Sequence, residues 1–155
     1  GGVAGQGSTF VVRLPASDGV PSCLQRTTPV VAVARRARVL VIDDEPAIGI
    51  ALRRTLQDDH DVEAVTSARG ALDLLDAGHR FDIILCDMMM PEQTGEGLHA
   101  ELAGTLPDQA ERMVFLTGGA FTPRARAFLD SVNNLCLEKP FDGDAVRALC
   151  ARMNR

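Results

Sequence analysis

Asp43-Asp44-Glu45 follows the apolar run 39–42, and Asp87 closes the run 83–86. Thr117 follows the run 113–116, and Lys139 comes shortly after 135–137, directly before Pro140. Crowded carboxylates repel one another and take up protons unless a cation neutralises them. Oxygen donors with open positions suit Mg²⁺, which takes one or two carboxylates together with waters and phosphate oxygens. A hydroxyl and an ammonium nearby would hold the remaining phosphoryl oxygens. Such a set is fit for phosphoryl transfer to a carboxylate, with Asp87 as the oxygen nucleophile. Lys139 is the only lysine in the chain, which otherwise uses arginine. Arginine offers a planar fork of donors and lysine a compact point charge, so one retained lysine points to a need for an ammonium there.

Residues so far apart converge only if a fold gathers them. The stretch 81–91, FDIILCDMMMP, is apolar, rich in Ile and Leu and closed by Pro91; it reads as a buried strand of a parallel sheet. From Arg38 onward, short apolar runs alternate five times with amphipathic stretches. The predicted strands are 39–42, 62–65, 83–86, 113–116 and 135–137. Between and after them come helices that bury Ile48, Leu52 and Leu56; Ala68, Ala71, Leu72 and Leu75, capped by Ser67; Leu98 and Leu102; Ala125, Phe128, Leu129 and Val132; and Val146, Leu149 and Met153. Alternation of this kind implies an α/β, doubly wound parallel sheet with helices on both faces. In such a sheet all strand carboxyl ends share one edge, where open α/β sheets place their chemistry.

The 155-residue length suits one α/β domain and a tail. A net charge of −5 argues against a nucleic-acid surface. No run approaches the roughly 20 apolar residues of a membrane span, and no signal peptide opens the chain. Cys23, Cys86, Cys136 and Cys150 lack metal-ligand spacing, and two lie in predicted strands, so buried reduced thiols in a cytoplasmic protein are expected. His60, His79 and His99 read as surface residues outside any phosphodonor context. Met88, Met89 and Met90 read as loop and core filler.

Asp43-Asp44, Asp87, Thr117 and Lys139-Pro140-Phe141, in this order and at these strand ends, resemble the receiver domain of two-component response regulators, over residues 37–155. The resemblance implies a five-stranded, flavodoxin-like (βα)5 sheet in the order 2-1-3-4-5. It implies Asp87 as phosphoacceptor and Mg²⁺ as cofactor, held by Asp44, by Asp43 directly or through water, by Asp87 and by the backbone carbonyl of Met89. It assigns Thr117 and Gly118 to the phosphoryl-binding switch and Lys139 to a phosphoryl oxygen. The Lys139-Pro140 peptide is often cis in the family. Partners implied are a histidine kinase or a histidine phosphotransfer domain, with a weak homodimer as a further assembly. Upstream, Gly5-Gln6-Gly7-Ser8-Thr9-Phe10 running to Leu14-Pro15 resembles the last glycine motif and final strand of histidine-kinase ATP-binding domains. Residues 1–17 are therefore expected to be a remnant of such a domain, unable to bind ATP alone, and 18–36 a linker. Together these imply the carboxyl-terminal receiver of a hybrid histidine kinase.

The chain departs from the family where many receivers carry Tyr or Phe three residues before the lysine; here that residue is Cys136. A thiol is too small for a ring flip, so signalling is expected to run through Gly118-Gly119 and the helix after them, glycine allowing unusual backbone angles. Met89 and Gly119, at positions that commonly tune phosphoryl lifetime, cannot orient a hydrolytic water, so slow self-dephosphorylation is expected. Taken singly, Asp44 could cap the first helix, Thr117 could be a turn residue and Lys139 a solvated strand end. Other function classes are a phosphate-independent receiver-like binding module and a small Mg²⁺-dependent phosphatase. The full acidic, hydroxyl and lysine set opposes the first; Met89, where such phosphatases place a second acid, opposes the second.

Overall fold

The computed structural model describes residues 35–119 and 122–155. The expectations for the glycine-rich strand, for Cys23 and for most of the linker lie outside the described residues. The elements are β1 (Arg38–Ile42), α1 (Pro46–Leu56), β2 (Asp61–Val65), α2 (Ala68–Asp76), β3 (Ile83–Asp87), α3 (Gly95–Thr105), α4 (Pro107–Glu111), β4 (Met113–Gly118), α5 (Pro123–Ser131), β5 (Leu135–Lys139) and α6 (Gly143–Met153). The strands form one sheet in the order β2-β1-β3-β4-β5, every pairing parallel.

Alternate residues of each central strand face opposite helix layers, as the two-residue period of a strand requires. Leu40, Ile42, Ile84, Cys86 and Phe115 join a core with Ala71 and Leu75 of α2, Leu98 and Leu102 of α3 and Ala125 of α5. Val39, Val41, Ile83, Leu85, Val114 and Leu116 join the other, with Leu52 and Leu56 of α1 and Val146 and Cys150 of α6. All of β3 is buried, which explains its unbroken apolar sequence. The helices start where polar side chains accept orphan backbone donors. Ser67, Thr94, Thr122 and Asp142 take the N–H of Gly70, Gly97, Ala125 and Ala145, each such cap contributing about 1 kcal/mol.

Several readings of the sequence are corrected. α4 lies between α3 and β4, where the sequence analysis predicts no element; Pro107 opens it, and the Gln109 amide bonds both the N–H and the carbonyl of Phe81. His60 is buried rather than superficial, its Nδ1 meeting the Ala37 N–H at 3.4 Å. His99 is half-buried, its ring centroid 5.4 Å from that of Phe128 and 5.9 Å from that of Phe115. Cys136 is exposed, whereas Cys86 and Cys150 are buried; β5 is an edge strand and Cys136 faces outward from it. Arg36, read as the end of the linker, packs onto the domain. Its guanidinium donates to the carbonyls of Gln57, Asp58 and His60 and to Asp61 Oδ1.

Candidate functional site

The parallel register brings the polar strand ends to one edge. Ile42 lies opposite Cys86, Asp87 opposite Leu116 and Gly118 opposite Lys139. Asp43 is buried just beyond β1, its N–H bonded to the Val65 carbonyl and its Oδ1 accepting from the Glu45 N–H. That bond turns the chain into α1, whose N-cap is Glu45 with no side-chain cap. Asp44 therefore does not cap the helix; it is exposed. Ligand oxygens of Asp43, Asp44 and Asp87 lie within 4.8 Å of one another.

Lys139 reaches this cluster from β5. Its Nζ donates to Asp43 Oδ2 at 2.7 Å and to Asp87 Oδ1 at 3.0 Å. The carboxylates are almost sealed, with side chains 1 % and 9 % exposed, and the lysine side chain is 25 % exposed. Burial pulls the ammonium pKa down, but the hydrogen bonds to Asp43 and Asp87 and their charges outweigh it and hold the value above the ordinary lysine range. Lysine is neither a solvated strand end nor idle here: it is the cation the carboxylates need.

The donor set fits a hard divalent ion. Three carboxylates offer only oxygens, and the exposed Asp44 leaves one side open to water, as Mg²⁺ coordination demands. Beneath them the Cys86 thiol donates to the Asp87 carbonyl at 3.3 Å. Burial, then the charges of Asp87 and Asp43, push its pKa up, so it remains a neutral thiol rather than a competing ligand.

Thr117 is not gathered into this cluster. It is buried at the end of β4 rather than in a turn, and its hydroxyl meets the Leu137 carbonyl at 3.5 Å. Gly118 closes β4, Met89 is 57 % exposed in the loop after β3, and the Lys139–Pro140 peptide is cis. The sequence reading missed Gly95. It opens α3, and its N–H bonds the Met88 carbonyl at 3.1 Å. A Cβ there would stand 2.9 Å from the Asp87 carbonyl oxygen and 3.2 Å from the Met88 Cα. Its signal was a glycine next to the helix-capping Thr94. The guanidinium of Arg124 grips the Glu96 carboxylate with Nε and Nη2, joining α3 to α5 beside the Met88–Met89 loop.

Residues 39–151 match the family model described as response regulator receiver domain. The response regulator MprA of Mycolicibacterium vanbaalenii is 36% identical over 117 residues, covering 75% of this chain and 48% of the relative. The sensor kinase CckA of Brucella abortus is 30% identical over 147 residues, 88% of this chain and 15% of the kinase. The chain thus spans about half the length of the response regulators it matches, and far less of the kinase. Among solved structures, the chemotaxis protein CheY4 of Vibrio cholerae superposes with a TM-score of 0.64 at 27% identity, over 76% of this chain and 98% of that one. The receiver domain of a signal transduction histidine kinase from Syntrophus aciditrophicus gives 0.67 at 26%, over 76% and 89%. Family model, relatives and sheet order agree: the chain belongs to the response regulator receiver family, a domain of two-component signalling.

Proposed function

We propose that Asp87 accepts a phosphoryl group from a phosphohistidine and that the modified domain alters its contacts with a partner. The observation that carries this is the lysine bridge: one ammonium joins Asp43 to Asp87 on the strand-end edge, beside Asp44. The bridge fixes the Asp87 carboxylate at the end of the buried strand β3. An Asp87 carboxylate oxygen attacks phosphorus, the P–N bond breaks, and the imidazole departs with its electron pair, leaving an acyl phosphate. Lys139 then exchanges its bond to Asp87 for one to a phosphoryl oxygen, and Thr117 leaves Leu137 to donate to another. Asp43, Asp44 and Asp87, with the Met89 carbonyl, would hold Mg²⁺, which when bound supplies neutralisation of charge on the transferring group.

The donor is a histidine kinase or a histidine phosphotransfer domain, partners with which receiver domains interact. Residues 1–17 then descend from the end of a kinase ATP-binding domain and 18–36 from its linker, a reading in keeping with similarity to a sensor kinase over 88% of the chain, more than the receiver span. No described helix is long and apolar enough to cross a membrane, and a cytoplasmic setting suits the free thiols. With Cys136 in place of a switch aromatic, the change propagates through Gly118-Gly119 and α5. Incubation with a phosphorylated histidine phosphotransfer domain tests the proposal. Label moves to this chain in Mg²⁺, and amide shifts follow around Gly118 and Gly119. Transfer that persists in Asp87→Asn, or a loop left unshifted, contradicts the acceptor or the switch respectively.

A further inference from the structure

A second site stands at the opposite edge of the sheet. A cavity of about 540 Å³ opens beside the start of β3, in the range of small-molecule pockets. Four arginines line it, Arg35, Arg38, Arg80 and Arg112, against two acids, Asp82 and Asp108. On a chain of net charge −5 this is a concentration of positive charge. Two of the four are already answered. Arg38 pairs with Glu63 at 3.2 Å, and Arg35 lies 3.6 Å from Asp82, whose other oxygen accepts the Arg38 N–H.

Arg80 and Arg112 are different. Among the described residues neither meets a carboxylate, and each is pinned through one nitrogen to backbone. Arg80 Nη1 donates to the carbonyls of Leu75 and His79, and Arg112 Nη1 to that of Asp82. Their Nε and Nη2 donors are left to solvent. A guanidinium held by one corner loses little freedom when its remaining edge engages a ligand. Two such forks on one cavity match the charge and the several acceptor oxygens of a phosphate. Leu106 and Pro107 add apolar wall for the rest of a molecule. We propose that this cavity binds a phosphorylated small molecule of nucleotide size, its phosphate held between Arg80 and Arg112.

The test is titration of the 15N-labelled full chain with inorganic pyrophosphate and, separately, with ADP, in EDTA so that the acidic edge offers no metal. Both probes give saturable shifts at the Arg80 and Arg112 Nε–H and at Phe81 and Asp82. Affinity falls by roughly tenfold or more in Arg80→Gln/Arg112→Gln, as loss of charge-assisted pairs requires. It is unchanged in Arg53→Gln/Arg54→Gln on the exposed face of α1. Arg112→Lys, which keeps the charge and loses the fork, falls in between and guards against misfolding of the double variant. Tighter binding of ADP than of pyrophosphate assigns the apolar wall to a nucleoside. Absence of saturation into the millimolar range, or equal losses in the α1 control, overturns the proposal, as do shifts confined to Asp87 and Thr117.

Discussion

At the scale of single residues, Lys139 is what lets two buried carboxylates coexist. Lys139→Ala leaves Asp43 and Asp87 facing each other without a cation. In EDTA its unfolding free energy falls by about 1–3 kcal/mol, the usual cost of stranding buried acceptors. Addition of Mg²⁺ restores most of it, because a ligand bound only by the native state stabilises that state by mass action. Urea unfolding with and without metal reads this out; an equal loss in both conditions would mean that the acids hold no ion. Gly95→Ala tests the other constraint. The added Cβ meets backbone, not a flexible side chain, so it costs about 1–3 kcal/mol of stability and slows phosphorylation by displacing the Asp87 loop. Asp43, Asp44, Asp87 and Lys139 were legible in the sequence because each interrupts or ends an apolar run. Gly95 was not, since a close approach between α3 and β3 leaves no mark beyond one glycine among its neighbours in Thr94-Gly95-Glu96-Gly97.

Among the elements, strand period and helix caps carried most of the information. The five strands and the helices after them follow from alternation, and Ser67 caps as its position suggested. α4 escaped because five residues are too few to show a helical period. Cys136 was misplaced because a short apolar run does not say whether a strand is central or at the edge. The layer of α3 and α5 against β4 yields a pH prediction. Burial depresses the His99 pKa, partly offset by its hydrogen bond with Asn134. The unfolded chain then binds the proton more readily, so the stabilisation is complete above about pH 6.5, the unperturbed histidine value, and fades as pH falls through the depressed native value. His99→Phe, packed among Phe115 and Phe128, removes that slope. Denaturation curves taken across mildly acid to neutral pH decide it, and an unchanged slope would assign the effect elsewhere.

For the molecule as a whole, the sheet order was predictable only through the family resemblance, since βα alternation fixes parallel strands but not which lies beside which. The carboxyl-edge argument needed only parallelism and so survived independently. The boundary was less legible, because Arg36 looks like linker and acts as part of the domain. A chain of residues 35–155 is therefore expected to unfold as one cooperative unit. One begun at 37 loses about 1 kcal/mol with the Arg36 bonds, a difference that thermal melts of the two would show.

The central claim is that Asp87 alone takes the phosphoryl group. Intact mass of the purified chain after incubation with acetyl phosphate and Mg²⁺, beside Asp87→Asn, tests it most directly. The account predicts a single phosphoryl adduct on the native chain, none on the variant and none without metal. An adduct retained by Asp87→Asn would contradict it. So would a native chain that takes no phosphate from this donor or a phosphohistidine and shows no amide shift at Thr117 with beryllofluoride.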